Sequence, residues 1–343
     1  MELTKPRISV VIATYNRPDS LQRLLMQLAA QTMAPTEFEV VVVDDGSRTP
    51  MPDVAVPYRF TVLQQENRGA AAARHLGVNT ATADVVLFID DDMEVPPELL
   101  SEHTRLHDND TQAVVLGWIK CPTTARMPLY ERLHARYLDH LAEDAYSGRW
   151  GLTGIDVWSG NLSMRRAQYM KVGGFDTTLG QGEDAELGLR LEKDGARFYV
   201  SEKAYSDHHS DHASLGAWMK RSYRYGRIDL RISRKHPEMR HANPWRYWYT
   251  VTPPSFLFLA TALAAPWPAH LVARAVMSVA TSVDAVGMER AALALTDLAF
   301  SIEYTRGLGD EAGGFAAALR DFVRYLKEGP KVAFYVPRGN SNS

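Results

Sequence analysis

Short runs of aliphatic and β-branched residues alternate with stretches of helical spacing, and each run ends in polar or acidic side chains. Ile8 to Ala13 reads as a buried parallel strand and stops at Thr14 and Asn16. Pro18 then opens a segment in which Leu21, Leu24, Leu25 and Leu28 recur at helical spacing. Phe38 to Val43 is a second strand, closed by the turn residues Asp44, Asp45, Gly46 and Ser47. Phe60 to Gln64 reads as a further strand and the alanine-rich Gly69 to Ala81 as a helix. Asp84 to Ile89 is the next strand and runs directly into Asp90, Asp91 and Asp92. Such alternation predicts an α/β fold with a mostly parallel sheet flanked by helices. Ligands bind such sheets beyond the carboxyl ends of the strands, so the three polar clusters should converge on one edge.

Further along, Ala113 to Ile119 reads as a strand, Pro128 to Leu141 as a helix, and Val157 to Met164 as a strand carrying Gly160 and Asn161. Glu183 to Lys193 has helical spacing with Gly195 as its stop, and Arg197 to Ser201 is a strand leading to Asp207, His208, His209, Asp211 and His212. Composition changes after about Ser214, which predicts an α/β domain over 1–213 and a helical C-terminal extension over 214–343. A basic stretch from Lys220 to Lys235 precedes an aromatic segment with Trp245, Trp248, Phe256 and Phe258. Two readings stand for it: a helical appendage packed on the α/β domain with its basic side towards the ligand edge, or a peripheral contact with an anionic membrane surface.

The bulk properties exclude several classes. Of the 343 residues, 45% are hydrophobic and 23% charged, which argues against wholesale disorder. A net charge of -3 supplies no global basic field for nucleic acid. The single Cys121 allows no intrachain disulfide and fits a reducing compartment. No export segment precedes the first strand, so a cytoplasmic location is expected, with the inner face of the membrane as its variant. No run reaches the ~18 apolar residues of a spanning helix; Ser255 to Ala265 comes nearest and is broken by Pro266 and Pro268.

Three clusters carry chemistry. Adjacent carboxylates such as Asp90, Asp91 and Asp92 repel, and tolerate one another best in water or around a cation. Hard cations choose such oxygens and share their shell with substrate phosphates. If the strand continues, Asp90 and Asp92 point the same way; a solvated acidic turn capping the next helix is the competing explanation. Gly182, Glu183 and Asp184 open a helix, where a carboxylate is stabilised by free backbone N–H groups. His208, His209 and His212, beside Asp207 and Asp211, offer imidazoles to a metal only if folding brings them to the aspartates.

In order, SVVIATYNRPDSLQRLL, EVVVVDDGS, NRGAAAARHLG, VVLFIDDDMEVPPELL, SGNLSMRR, VGGFDTTLGQGEDAELGLRL and the histidine cluster resemble glycosyltransferase family 2, enzymes of the GT-A fold, over roughly Ile8 to Ser214. The resemblance implies a donor pocket with Thr14, Asn16, Asp44 and Asp45 at the nucleoside and Arg68 and Arg74 near the diphosphate. It implies a DxD motif in which Asp92 binds Mn2+ or Mg2+ and Asp90 meets the ribose or the metal, with Asp91 between them on the donor side. Asp184 matches the acceptor-activating base and Glu183 its neighbour, while His208 is the best match to a late metal-reaching histidine. The implied reaction is inverting transfer from a nucleoside diphosphate sugar, UDP-sugar first among donors, to a glycan, lipid-linked glycan or small molecule. The QxxRW motif and spanning helices of processive synthases are missing, which implies one sugar per visit.

Competing readings are a dehydrogenase or nucleotidyltransferase, a non-catalytic nucleotide-sugar-binding module, and a retaining transferase. The first strand is followed by Ala13, Thr14, Tyr15 and Asn16 and not by a glycine-rich loop, which disfavours the first pair.

Overall fold

The computed structural model describes residues 5–51, 53–124, 127–208, 214–249 and 253–328; His209, Asp211 and His212 lie outside them. Along the chain come β1 (Ile8–Thr14), α1 (Pro18–Ala29), β2 (Phe38–Asp44), β3 (Arg59–Gln64), α2 (Ala70–Thr80), β4 (Val85–Ile89), β5 (Met93–Glu94) and α3 (Leu99–Asn109). There follow β6 (Ala113–Lys120), α4 (Leu129–Tyr146), β7 (Asn161–Arg165), α5 (Arg166–Lys171), α6 (Glu183–Lys193) and β8 (Arg197–His208). Every residue of β2 and β4 is buried, as continuous apolar runs covered on both faces should be. On α1 the four leucines Leu21, Leu24, Leu25 and Leu28 form the buried stripe that the spacing predicts. The alanine-rich α2 lies unusually close to the sheet: a Cβ on Gly77 would come 2.4 Å from Val11 Cγ1. Small residues on its inner face are what permit that approach.

The eight strands form one sheet in the order β3-β2-β1-β4-β7-β6-β8-β5. The run β3-β2-β1-β4 and the pair β6–β8 are parallel, whereas β7 is antiparallel to both its neighbours and β5 is antiparallel to β8. The sheet is therefore mixed, and its parallel part carries the polar strand ends.

Two segments depart from the sequence reading. The expected strand from Val157 begins only at Asn161, because Thr153 and Asp156 close a capping box around a 3₁₀ turn, Gly154–Asp156, and satisfy that backbone locally. β8 continues past Ser201 to His208, through an irregularity where Gly117 pairs with Ser201 but Ile119 with Ser206.

Two compact units result: residues 1–122 with 141–210, and residues 123–140 with 211–343. Residues 123–140, expected with the α/β part, thus group with the helical one. The second unit contains α7 (Leu215–Lys235), α8 (Pro253–Ala264), α9 (Pro266–Ala285), α10 (Glu289–Ala312) and α11 (Phe315–Glu328). Its core includes Trp245, Trp248, Leu259, Ile302 and Leu308. α7 and α10 touch backbone to backbone: a Cβ on Gly226 would meet the Tyr304 carbonyl at 2.0 Å, and one on Gly307 the Tyr223 carbonyl at 2.0 Å. The basic residues of α7 face acids: Arg227 and Arg231 pair with Glu311, and Arg234 with Asp321. No helix among the described residues is long and apolar enough to cross a membrane.

Candidate active site

β4 ends at Ile89, and Asp90, Asp91 and Asp92 lie in the turn that leads to β5. Because the chain turns there, the strand alternation expected for Asp90 and Asp92 does not apply, and the three carboxylates part company. Asp90 accepts from Arg74 Nη2 at 2.6 Å. Asp91, only 5% exposed, accepts from Thr14 Oγ1 at 2.7 Å and Arg17 Nη1 at 3.1 Å. Its oxygens hold β1 against the turn, in place of the donor-lining position expected for it; burial, partly offset by Thr14 and Arg17, moves its pKa up. Asp92 accepts from Arg17 Nη1 at 2.5 Å and lies 3.4 Å from His208 Nε2. Its other oxygen, Oδ1, is buried with no hydrogen-bond partner.

On the β1–β2 side, the expected nucleoside residues gather at the strand ends. Thr14 and Asp44 are register partners, and Asp45 N–H donates to the Thr14 carbonyl at 2.9 Å. Asn16 takes a left-handed conformation, φ 55°, and its Oδ1 accepts from Arg48 N–H at 2.9 Å. Asp44 accepts from Ser47 N–H, and Asp45 from the N–H groups of Arg68 and Gly69. Both carboxylates therefore shape loops first; a small cleft beside them is lined by Thr14, Arg17, Ser47 and Met51. Arg68 is anchored by its backbone and its side chain is exposed.

Arg74 connects the acidic turn after β4 to the start of α6. Its buried guanidinium bonds Asp90 and reaches Glu183 Oε1 at 3.3 Å. Asp184, half-buried, accepts from Ala185 N–H at 2.8 Å and from the backbone N–H of Ser159. Burial, then the neighbouring Glu183 charge, pushes its carboxyl up to about 6. A carboxylate so tuned can take a proton from a hydroxyl near neutral pH.

His208 reaches Asp92 through the irregular pairing of β8. Burial opposes its positive charge, but Asp92 and Cys121 outweigh that and hold its pKa up to about 10. Its register partner is Met93. The irregular stretch is clamped by Asn161, whose Nδ2 donates to the Ala204 carbonyl at 2.8 Å and to Ser206 Oγ at 3.2 Å. The Asn161 carbonyl is held in turn by His103 Nε2 at 2.9 Å, and burial keeps His103 near a pKa of about 4, hence neutral. Asn161 reaches across β6 because Gly117 leaves room: a Cβ there would stand 2.1 Å from both Asn161 Nδ2 and the Ala204 carbonyl.

Arg17, Gly117 and the clamping role of Asn161 were missed from the sequence. Only Gly117, a glycine inside a strand pattern, carried a local signal of close approach.

Residues 9–173 match the family model for glycosyl transferase family 2. The chain is 31% identical over 269 residues to validoxylamine A glucosyltransferase of Streptomyces hygroscopicus subsp. limoneus, covering 68% of this chain and 58% of that protein. It is 28% identical over 218 residues to glucosyl-dolichyl phosphate glucuronosyltransferase of Haloferax volcanii, covering 59% of this chain and 69% of the relative. The chain thus spans somewhat over half the length of the validoxylamine A relatives, 58% and 62% for two strains. The mannosyltransferase PcManGT from Pyrobaculum calidifontis, in complex with GDP-Man and Mn2+, shares the fold with a TM-score of 0.53 at 18% identity, covering 95% of this chain and 88% of that one. The mixed sheet and the likeness to PcManGT agree on the GT-A fold, and over residues 9–173 the chain is similar to glycosyltransferase family 2.

Proposed function

We propose that this chain transfers a sugar from a nucleoside diphosphate sugar to an acceptor hydroxyl, in one inverting displacement with Asp184 as base. The observation that carries it is Arg74, which joins Asp90 of the donor turn to Glu183 beside Asp184. The donor and base motifs are thereby one constellation. In this reading the β1–β2 strand ends hold the nucleoside, Asp90 the ribose side, and Asp184 takes the acceptor proton. This reading gives the acceptor side one base and no carboxylate nucleophile, and a displacement of that kind inverts the anomeric centre, by analogy with glycosidases. A uridine diphosphate sugar is the proposed donor; a thermal-shift screen of nucleotide sugars identifies it, since ligands of the native state raise its melting temperature.

The residues fit a divalent metal. A buried carboxylate oxygen without a donor, Asp92 Oδ1, is costly unless a cation meets it. His208, whose Nε2 lies 3.4 Å from the other Asp92 oxygen, would add a nitrogen suited to Mn2+ once the metal displaces its proton. No group of three or more His, Cys, Asp or Glu among the described residues could hold a metal unaided, so donor phosphates would complete the shell. When bound, such a cation would offset the negative charge that builds on the departing diphosphate. Release of nucleoside diphosphate, followed with and without acceptor, should stop in EDTA and return with Mn2+ or Mg2+. Full turnover after metal removal would sink the metal reading, and no release under any condition would favour a non-catalytic module.

A membrane contact is also proposed, on residues that overlap only in part with those the sequence suggested: Phe256 and Phe258 are exposed on α8. Among the described residues, α7 meets acids of α10 and α11, and Trp245 and Trp248 are core residues. The exposed apolar surface lies instead on α8 and α9, where Leu257 is 69% and Trp267 72% exposed. From Pro253 to Ala273 the chain has no Asp, Glu, Lys or Arg. The nearby α11 exposes Phe315, Leu319, Val323 and Leu326 together with Arg320, Arg324 and Lys327, a pattern suited to an anionic bilayer.

A further inference from the structure

Even-numbered residues of β6 face α6: Val114 and Leu116 pack with Leu187 and Leu191. Strand side chains alternate, so Trp118 and Lys120 continue that row beyond the core, and both are half-buried. Contacts tie this end of β6 to the proposed base. Asp184 accepts from Ser159 N–H, and the adjoining Trp158 indole donates to the Gly117 carbonyl at 3.2 Å, one residue before Trp118.

Here the chain sets a cation among aromatic rings. The Lys120 ammonium lies 4.0 Å from the Tyr205 ring centroid and 6.0 Å from that of Trp118. Trp118 neighbours Tyr146, at 6.5 Å between centroids, and Tyr146 is 57% exposed. No carboxylate among the described residues pairs with Lys120, its cross-strand neighbour Asp207 included. Most cations of this unit that are withdrawn from water behave otherwise: Arg74, for instance, has two carboxylate partners. π faces stabilise an ammonium partially and leave its charge available to an anion. Aromatic rings beside it offer an apolar platform with few rotamers to freeze.

We propose that Trp118, Lys120, Tyr146 and Tyr205 form the acceptor subsite, and that it takes a sugar ring bearing an anionic group, phosphate or carboxylate. The anion pairs with Lys120 and the ring rests on the Trp118–Tyr146 side. This rests on the transferase reading with Asp184 as base, and it names the acceptor class that reading leaves open.

The test is a calorimetric titration of the full chain, with saturating nucleoside diphosphate and Mn2+ so that the donor diphosphate position is filled. The probes are glucose 6-phosphate, glucuronate and methyl glucoside. Glucose 6-phosphate or glucuronate should bind at least about tenfold tighter than methyl glucoside, the worth of one partly desolvated charge pair; whichever binds tighter tells phosphate from carboxylate. Lys120→Met and Lys120→Gln should erase the difference, and Lys120→Arg should keep most of it. Nucleoside diphosphate affinity, measured on each variant, reports that the fold is intact. Equal binding of the three probes by the wild type, or an anion preference that survives Lys120→Met, overturns the proposal. Donor turnover is measured separately: its absence would overturn the transferase reading while the anion preference is still read by binding.

Discussion

Asp184 is charged at a cost. Its carboxyl is raised from 3.8 to about 6, by burial first and by Glu183 second, while Ala185 and Ser159 N–H groups and Arg74 pull the other way. Because the folded pKa exceeds the ordinary one, the folded chain binds this proton more readily than the unfolded chain. Its contribution to stability is therefore full below about pH 4 and is lost as pH rises through about 6. Activity has the opposite sign, since only the ionised form accepts a proton. The acid limb of the turnover profile should accordingly fall near pH 6 and move to lower pH in Glu183→Gln, which removes the repelling neighbour. Asp184→Asn should keep donor binding and native stability at pH 7 while turnover drops ~10²- to 10⁴-fold. Near-normal turnover in Asp184→Asn with an inactive Glu183→Gln would exchange the two roles. The pairing of these acids was legible as a motif, but the shift was not, because it depends on how deeply the folded chain buries each oxygen.

At the scale of elements, the site depends on one strand that does not run regularly. Opposite Gly117 and Ile119, β8 carries extra residues between Ser201 and Ser206, so that His208 falls beside Met93 and within reach of Asp92. Such bulges bend a strand and re-aim its side chains. Asn161 holds this one from β7, with the Gly117 gap as its passage. Asn161→Ala should weaken Mn2+ binding in the presence of UDP about tenfold, the lower end of what residues supporting metal ligands contribute. UDP affinity without metal should not change, because the β1–β2 end is untouched. Gly117→Ala should act alike by blocking the same amide. Unaltered Mn2+ affinity in both folded variants would mean that His208 holds its place without the clamp. The sequence reading ended this strand at Ser201; the continuation comes from pairing with β6 and β5, which periodicity along one strand does not contain.

For the whole molecule, the chain segregates its surfaces by unit. Acids and aromatics at the sheet ends belong to the first unit, whereas the exposed apolar helices belong to the second. The membrane contact is tested by flotation with anionic liposomes at low salt. Wild type should float, and Leu257→Asp with Trp267→Asp should abolish flotation without lowering the melting temperature, since both side chains are exposed. Added salt should weaken binding, because each Lys or Arg near an anionic surface contributes ~1 kcal/mol. Concentration-dependent dimerisation of a wild type that does not float would assign the same face to a second copy of the chain.

By itself the sequence determined the elements whose information is local. Apolar runs made β1, β2 and β4, leucine spacing made α1, and the polar clusters fell at the strand ends. The family motifs added the expected roles, because motif order is a property of the chain alone. What only the tertiary structure decided is which partner each charge has. Asp90 turns to Arg74, Asp91 to Thr14 and Arg17, and Asp92 to Arg17 and His208. The basic α7 meets the acids of α10 and α11. Those choices follow from strand register, the bend after β4 and helix contacts over long separations, and a charged side chain carries no mark of its future partner until burial makes an unpaired charge costly.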